Sequence, residues 1–167
     1  AIVDRRAADD PRIRPIVLRD NVGQGFARNA ALTAARGDYV WFLDGDDWLD
    51  NPDLLRRVHD LARAEGSDMA RAKKAFEAIC DETGAVTGTR PDPTERFFDR
   101  TVPRTTFADC PALLHNRHHW TWLYRRAFLN AHDIRFVTPQ WEERAFLTRA
   151  LARARVISLS NVPGPAY

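Results

Sequence analysis

The sequence predicts an α/β fold built on a mostly parallel sheet. Two observations carry this. The run Tyr39-Val40-Trp41-Phe42-Leu43 is apolar and ends abruptly in Asp44-Gly45-Asp46-Asp47. A short apolar run bounded by turn signals reads as a buried strand of such a sheet. Segments of helical periodicity flank it on both sides, from Phe26 to Arg36 and from Pro52 to Ala62, as strand and helix alternate in α/β folds.

Taken in order, Ala1 to Pro11 reads as a charged helix end, stopped by Asp9-Asp10-Pro11. Ile13 to Leu18 reads as a short strand, with Pro15 suited to an edge or a strand start. The polar turn Asp20 to Gly25 then feeds the helix from Phe26 to Arg36. Its faces are small (Ala27, Ala30, Ala31, Ala34, Ala35), so it can approach a sheet closely, and Gly37 is its expected stop. Arg28 and Asn29 fall in its expected first turn, where free N–H groups and the dipole attract phosphate. After the acidic cluster, Asn51 is the expected N-cap and Pro52 the first helical residue. Leu54, Leu55, Val58, Leu61 and Ala62 line the expected core face, and Gly66 ends the helix.

Asp68 to Ala78 reads as one or two strands, and Asp81-Glu82-Thr83-Gly84 as a hairpin turn. Thr87 to Thr106, with three prolines, reads as a long loop of the kind that is functional or mobile. His115, His118 and His119 crowd together, yet no i, i+4 pair is present, so the spacing argues against a metal centre there. Trp120 and Trp122 alternate and would share a face on a strand, as core or as a platform for a sugar ring. Leu123 to Asn130 passes into a short helix. The last helix is expected from Trp141 to Arg153, with Glu142 and Glu143 in its first turn. Phe146, Leu147, Ala150 and Leu151 form its buried face, and Val156 to Leu159 is a further strand.

The acidic cluster is the focus of chemistry. Ligands in open α/β sheets bind outside the carboxyl ends of strands, which is where Asp44, Asp46 and Asp47 fall. Three carboxylates over four residues repel one another, and hard oxygen donors suit Mg²⁺ or Mn²⁺ carrying a phosphate-bearing substrate. A solvated acidic turn is the plainer alternative. A calcium loop fits poorly, since counting from Asp44 puts Gly45 second and Leu55 twelfth. The bulk numbers exclude other classes. With 44% hydrophobic and 29% charged residues the composition is that of a soluble globular chain, and a net charge of +2 argues against nucleic acid. No apolar run of transmembrane length and no signal peptide are visible. Cys80 and Cys110 form no redox or metal spacing, which favours the cytosol. The length suits one domain over 1–167, and the missing Met at Ala1 and the Pro163-Gly164-Pro165 ending suggest that it is incomplete at both ends.

Several spaced blocks together resemble the signature of family 2 glycosyltransferases. These are Asn21-x-Gly23, Ala27-Arg28-Asn29, Ala35-x-Gly37-x-Tyr39 and Phe42-Leu43-Asp44-x-Asp46-Asp47. Further on, Trp122-Leu123-Tyr124-Arg125-Arg126-x-Phe128-Leu129, Ile134-x-Phe136, Glu142-Glu143-x-x-Phe146 and the stretch near Tyr167 resemble that family's second half. The resemblance implies a GT-A fold, a three-layer, doubly wound, Rossmann-like α/β/α architecture. It implies transfer of a sugar from a nucleotide-diphosphate donor to an acceptor hydroxyl of a glycan, wall polymer or lipid-linked sugar. By position it puts Mn²⁺ or Mg²⁺ on Asp46, with Asp44 and Asp47 beside it, and the donor near Asn21, Gly23, Arg28, Asn29, Asp44 and Asp46. The base of an inverting reaction would be Glu143 or Glu142. Glu143 stands where the family carries Asp, and a misplacement near 1 Å can cost about a hundredfold. The family's opening strand and nucleobase loop have no counterpart before Ile13, so the fold is expected to lack its first strand in this chain. A lipid-linked acceptor would hold the enzyme peripherally at the inner membrane face. Two rivals remain at this stage. A haloacid-dehalogenase-type phosphohydrolase would use Asp44 as nucleophile, but it wants Thr or Val where Trp48 stands. A non-catalytic carbohydrate-binding domain on a degenerate transferase fold is the other.

Overall fold

The computed structural model describes residues 2–116, 118–137 and 142–166. Arg117 of the histidine patch, Trp141 at the expected helix start and Tyr167 lie outside the described residues. The chain is α/β and three-layered. Its main sheet runs in the order β1 (Tyr39–Trp41), β7 (Trp122–Arg125), β3 (Met69–Lys73), β8 (Ile157–Pro163) and β6 (Val102–Thr105). The sheet is mixed. The central β3/β8 pair is parallel, and β1/β7, β7/β3 and β8/β6 are antiparallel. Two small ribbons complete it, β2 (Trp48–Leu49) with β9 (Pro165–Ala166), and β4 (Glu77–Cys80) with β5 (Val86–Arg90).

The two faces of the sheet bury different cores, because side chains alternate along a strand. On β3, Met69 enters the larger core, while Ala70 and Ala72 enter the smaller. On β7, Trp122 and Tyr124 go one way and Leu123 the other. The smaller core is closed by α3 (Leu54–Glu65) through Leu54, Val58 and Ala62. The larger is closed by α2 (Gln24–Ala34), α4 (Arg126–Ala131) and α5 (Glu142–Arg153), through Leu32, Phe128, Leu129, Phe146, Leu147, Ala150 and Leu151. At its centre Phe136 stacks on Phe146 with ring centroids 4.1 Å apart, and Phe42 meets both edge-on. Two small residues on β3 let α3 come close, so helix size and strand residue size match across that layer.

Several local expectations change. Ile13 to Leu18 forms no strand and pairs with none of the described ones, and Ile13, Ile16, Val17 and Leu18 are exposed. Pro15 lacks an N–H to offer a neighbour, and β1, the nearest sheet edge in sequence, pairs only with β7 among the described strands. The charged first segment does form a helix, α1 (Ile2–Asp9), with no residue buried. The expected strand Tyr39–Leu43 is ordered as β1 only to Trp41; Phe42 turns into the core and Leu43 is exposed. Helix α2 starts two residues early, at Gln24, and ends on an extended Ala35 rather than at Gly37. Leu55 is exposed rather than core, because the buried arc of α3 is narrow. Gly66 does end α3, in a left-handed conformation with φ 64°. The expected loop at 87–106 is instead ordered. It carries most of β5, a 3-10 turn at Pro93–Phe98 and β6. Its strands pair with β4 and β8, and a buried charge holds the turn between them: Glu95 pairs with the buried Arg71, whose guanidinium lies 3.8 Å over the Phe98 ring, and Glu95 also accepts the Lys74 N–H. Among the described residues no helix is long and apolar enough to cross a membrane.

Candidate active site

Four segments far apart in sequence meet beyond the carboxyl end of β1. The acidic turn follows the strand directly and is closed by the Asp47 N–H donating to the Asp44 carbonyl at 3.2 Å. Helix α2 supplies Arg28. The N-terminus of α5 supplies Glu142 and Glu143. A 3-10 turn at His119–Thr121, just before β7, supplies His119.

Arg28 is the hub. Its side chain is 11% exposed, and Nη2 lies 2.5 Å from Asp44 and 3.3 Å from Glu143, with Nη1 3.7 Å from Glu142. One guanidinium therefore serves three carboxylates, over the ring of Phe136. Because α2 begins at Gln24, Arg28 and Asn29 sit in the second turn. They are not beside the free N–H groups that the sequence suggests. Gly23 is the N-cap, with φ 82°, and Asn21 accepts its N–H at 3.1 Å. Asn29 has a structural task. Its amide donates to the Phe136 carbonyl at 2.7 Å and accepts the Phe136 N–H at 3.0 Å. Gly25 allows the close approach: a Cβ there would stand 3.0 Å from Phe136 and 3.1 Å from Glu142. Helix α2 and the start of α5 are thus locked together.

The three aspartates differ. Asp44 is engaged by Arg28, and Asp46 is exposed. Both carboxylate oxygens of Asp47 are buried without a hydrogen-bond partner. Burial first, then the neighbouring Asp44 and Asp46, push the Asp47 carboxyl up to about 6. Orphaned, buried hard oxygens beside two further carboxylates fit a divalent cation. The shift has a direction in stability. The unfolded chain gives up this proton near 3.8 and the folded chain near 6, so the folded state gains from protonation below that range and loses the gain as pH rises through 6. In chelator, the melting temperature of the native chain should fall between pH 5 and 7 more steeply than that of Asp47→Asn. Equal slopes in a thermal melt series would remove this assignment.

Glu143 is half-buried, and Glu142 is packed against Gly25 at 13% side-chain exposure. The His119 ring beside Glu143 holds its carboxyl below the usual glutamate range, with Arg28 adding to the effect. His119 is fully buried, between Phe42 and Phe136. One ligand atom each of Asp44, His119 and Glu143 lie within 4.8 Å of one another. The spacing of the histidines lacks a metal pattern. No local signal singles out His119, since its role comes from the turn that swings it under α5. The tryptophans do not share a strand face. Trp120 lies in the 3-10 turn and Trp122 in β7, both are buried, and neither presents a platform to an acceptor.

The chain is similar to known proteins along its length. The model of the family described as Glycosyl transferase family 2 matches residues 1–133. The succinoglycan biosynthesis protein ExoO of Rhizobium meliloti is 48% identical over 64 residues, which are 38% of this chain and 18% of that protein. EpsH of Bacillus subtilis, named as a glycosyltransferase, is 27% identical over 169 residues, covering 97% of this chain and 46% of its own. The crystal structure of S. aureus TarS 1–349 with UDP-GlcNAc superposes with a TM-score of 0.81 at 25% identity, over 99% of this chain and 45% of that one. The same protein with UDP gives 0.73 at 26% identity, over 90% and 41%. The chain spans under half the length of each of these relatives.

Proposed function

Since the chain belongs to glycosyl transferase family 2, we propose that it carries the donor and catalytic centre of a metal-dependent, inverting glycosyltransferase. Its donor would be a nucleotide-diphosphate sugar of the UDP-linked class, and its product a polysaccharide or related surface glycan. The observation that carries this reading is the meeting of the Asp44–Asp47 turn with Glu142 and Glu143 around Arg28. It brings three aspartates and two glutamates, the groups such a centre would use for a cation and a general base, to one strand end. Similarity to TarS, solved with UDP-GlcNAc and with UDP, supports the donor class. Similarity to ExoO, named for succinoglycan biosynthesis, supports the product class. With the family established, nothing favours the phosphohydrolase alternative.

Asp46, Asp44 and Asp47 would hold Mn²⁺ or Mg²⁺, and that cation would supply charge neutralisation on the departing nucleoside diphosphate. Arg28, whose Nη1 has no hydrogen-bond partner among the described residues, would offer that edge of the guanidinium to the diphosphate while Nη2 stays on Asp44 and Glu143. Glu143 would accept the proton of the acceptor hydroxyl as its oxygen attacks the anomeric carbon opposite the leaving group, which inverts that centre. Glu143 suits this role better than Glu142, which is packed against α2. The acceptor would be a glycan, wall-polymer or lipid-linked sugar, and in the last case the protein would work at the inner face of the membrane.

Calorimetry of UDP, GDP, CDP and dTDP against the intact protein, with Mn²⁺ and with chelator, tests the proposal. We expect UDP to bind only with metal, and Asp46→Ala to lose that binding by ~100-fold or more while its thermal melt stays unchanged. Binding of no nucleotide would overturn the transferase reading. Undiminished binding by Asp46→Ala would overturn the metal assignment alone.

A further inference from the structure

His119 is the buried group that the mechanism above leaves unused. Its side chain has no solvent exposure, and neither ring nitrogen has a hydrogen-bond partner among the described residues. A buried, unpaired imidazole is costly and needs a reason. The reason is close by: Nδ1 lies 3.3 Å from Oε2 of Glu143. The separation is of hydrogen-bond length but the aim is poor, so a small rotation of either side chain completes the bond. Such bonds often tighten only when substrate is bound.

The turn that carries His119 is pinned on every side. Tyr124 Oη donates to the His119 carbonyl at 3.0 Å, Trp41 Nε1 to the Trp120 carbonyl at 2.7 Å, and Thr121 Oγ1 to the His118 carbonyl at 2.9 Å. Phe42 and Phe136 flank the ring. Glu143 by contrast sits at a helix start on three flexible torsions. Arg28 reaches its Oε1, and His119 faces its Oε2 from another direction. Two fixed groups on two oxygens define the carboxylate plane.

We propose that His119 is the positioning residue of Glu143, donating from Nδ1 to Oε2 and so aiming Oε1 and its lone pairs at the acceptor hydroxyl. This rests on the reading of Glu143 as general base. A metal shared by Asp44, His119 and Glu143 is the lesser alternative, because Arg28 already places a fixed positive charge on one oxygen of each carboxylate.

The test uses UDP-GlcNAc as donor probe, with water as acceptor and UDP release as readout, on the intact protein. His119→Phe keeps the ring between its aromatic neighbours and loses both nitrogens. His119→Asn restores a donor near Nδ1. The Phe variant should lose kcat by about 100-fold with KM for UDP-GlcNAc within about twofold, and the Asn variant should recover at least a tenth of the native kcat. In ¹⁵N spectra of the native protein the His119 Nδ1 should carry the proton, and Glu143→Ala should abolish that preference. Native-like kcat in His119→Phe, no recovery in His119→Asn, or a tautomer indifferent to Glu143→Ala would each overturn the proposal. Glu143→Gln in the same assay separates the two readings. If it keeps full turnover, the base assignment falls. If it is inactive while His119→Phe is not, only the positioning role falls.

Discussion

Glu143→Gln is expected to lose glycosyl transfer by about 10²–10⁴-fold, the usual worth of a positioned general base, while UDP binding with Mn²⁺ stays within about twofold. Gln keeps the shape and one accepting oxygen for Arg28 or His119, but cannot take a proton. The structure sharpens the expectation with pH. His119, and behind it Arg28, hold the Glu143 carboxyl below the ordinary range. On the proposed reading the active form is the ionised one, so at saturating Mn²⁺, which would keep Asp47 ionised, native turnover should stay level from neutral pH downward and fall only below the usual glutamate range. Steady-state rates across pH, with calorimetry of UDP on both proteins, check the pair of statements. A Gln variant with native rates, or with lost UDP affinity, would mean that Glu143 serves the donor or nothing at all. The parallel Glu142→Gln variant should keep most of the rate, because Glu142 is turned against Gly25.

Arg28→Ala is the substitution with the largest expected effect on the fold near the site. It strands Asp44, Glu142 and Glu143 around a hole that held their shared cation. Removing one partner of a buried pair costs 3–5 kcal/mol. The carboxylates keep between 13% and 34% side-chain exposure, so we expect the lower end, about 3 kcal/mol. For a chain of this size that is a melting temperature lower by roughly 6–12 °C. Arg28→Lys should recover only part, since one ammonium cannot span three carboxylates. Calorimetric unfolding in chelator reads both variants. An unchanged melt for Arg28→Ala would mean that the carboxylates relax into water without it.

The acidic turn, the helices and the pair Glu142 and Glu143 were legible in the sequence because each is local. An apolar run meets carboxylates, Gly66 stops a helix, and first-turn acids follow a dipole. What was not legible depended on neighbours. Ile13 to Leu18 has the composition of a strand, yet a strand exists only beside another, and none of the described strands lies there. The 87–106 stretch looks like loop because its order comes from partners elsewhere: β4 beside β5, β8 beside β6, and Arg71 for Glu95, 24 residues apart. Asn29 looked like a ligand contact beside Arg28, whereas its amide is spent on the backbone of Phe136. His119 carries no sequence signal, because spacing rules count ligands along one helix or strand. Its partner Glu143 is supplied by another element. The mixed sheet has the same origin: strand composition gives burial, but direction is settled by which strand comes to lie alongside.

The double hydrogen bond between Asn29 and Phe136 bears on how such enzymes can be recombined. It ties the helix that carries Arg28 to the segment leading into Glu142 and Glu143, across 107 residues of chain. With Gly25 seated against Glu142, α2, Phe136 and the start of α5 form one mechanical unit. A chimera that exchanges the α5 end for that of a relative while keeping its own α2 would join two halves with mismatched seats. Swaps confined to the β4–β5 ribbon leave that unit intact. Exchanges there should leave the geometry around Arg28, Glu142 and Glu143 as it is.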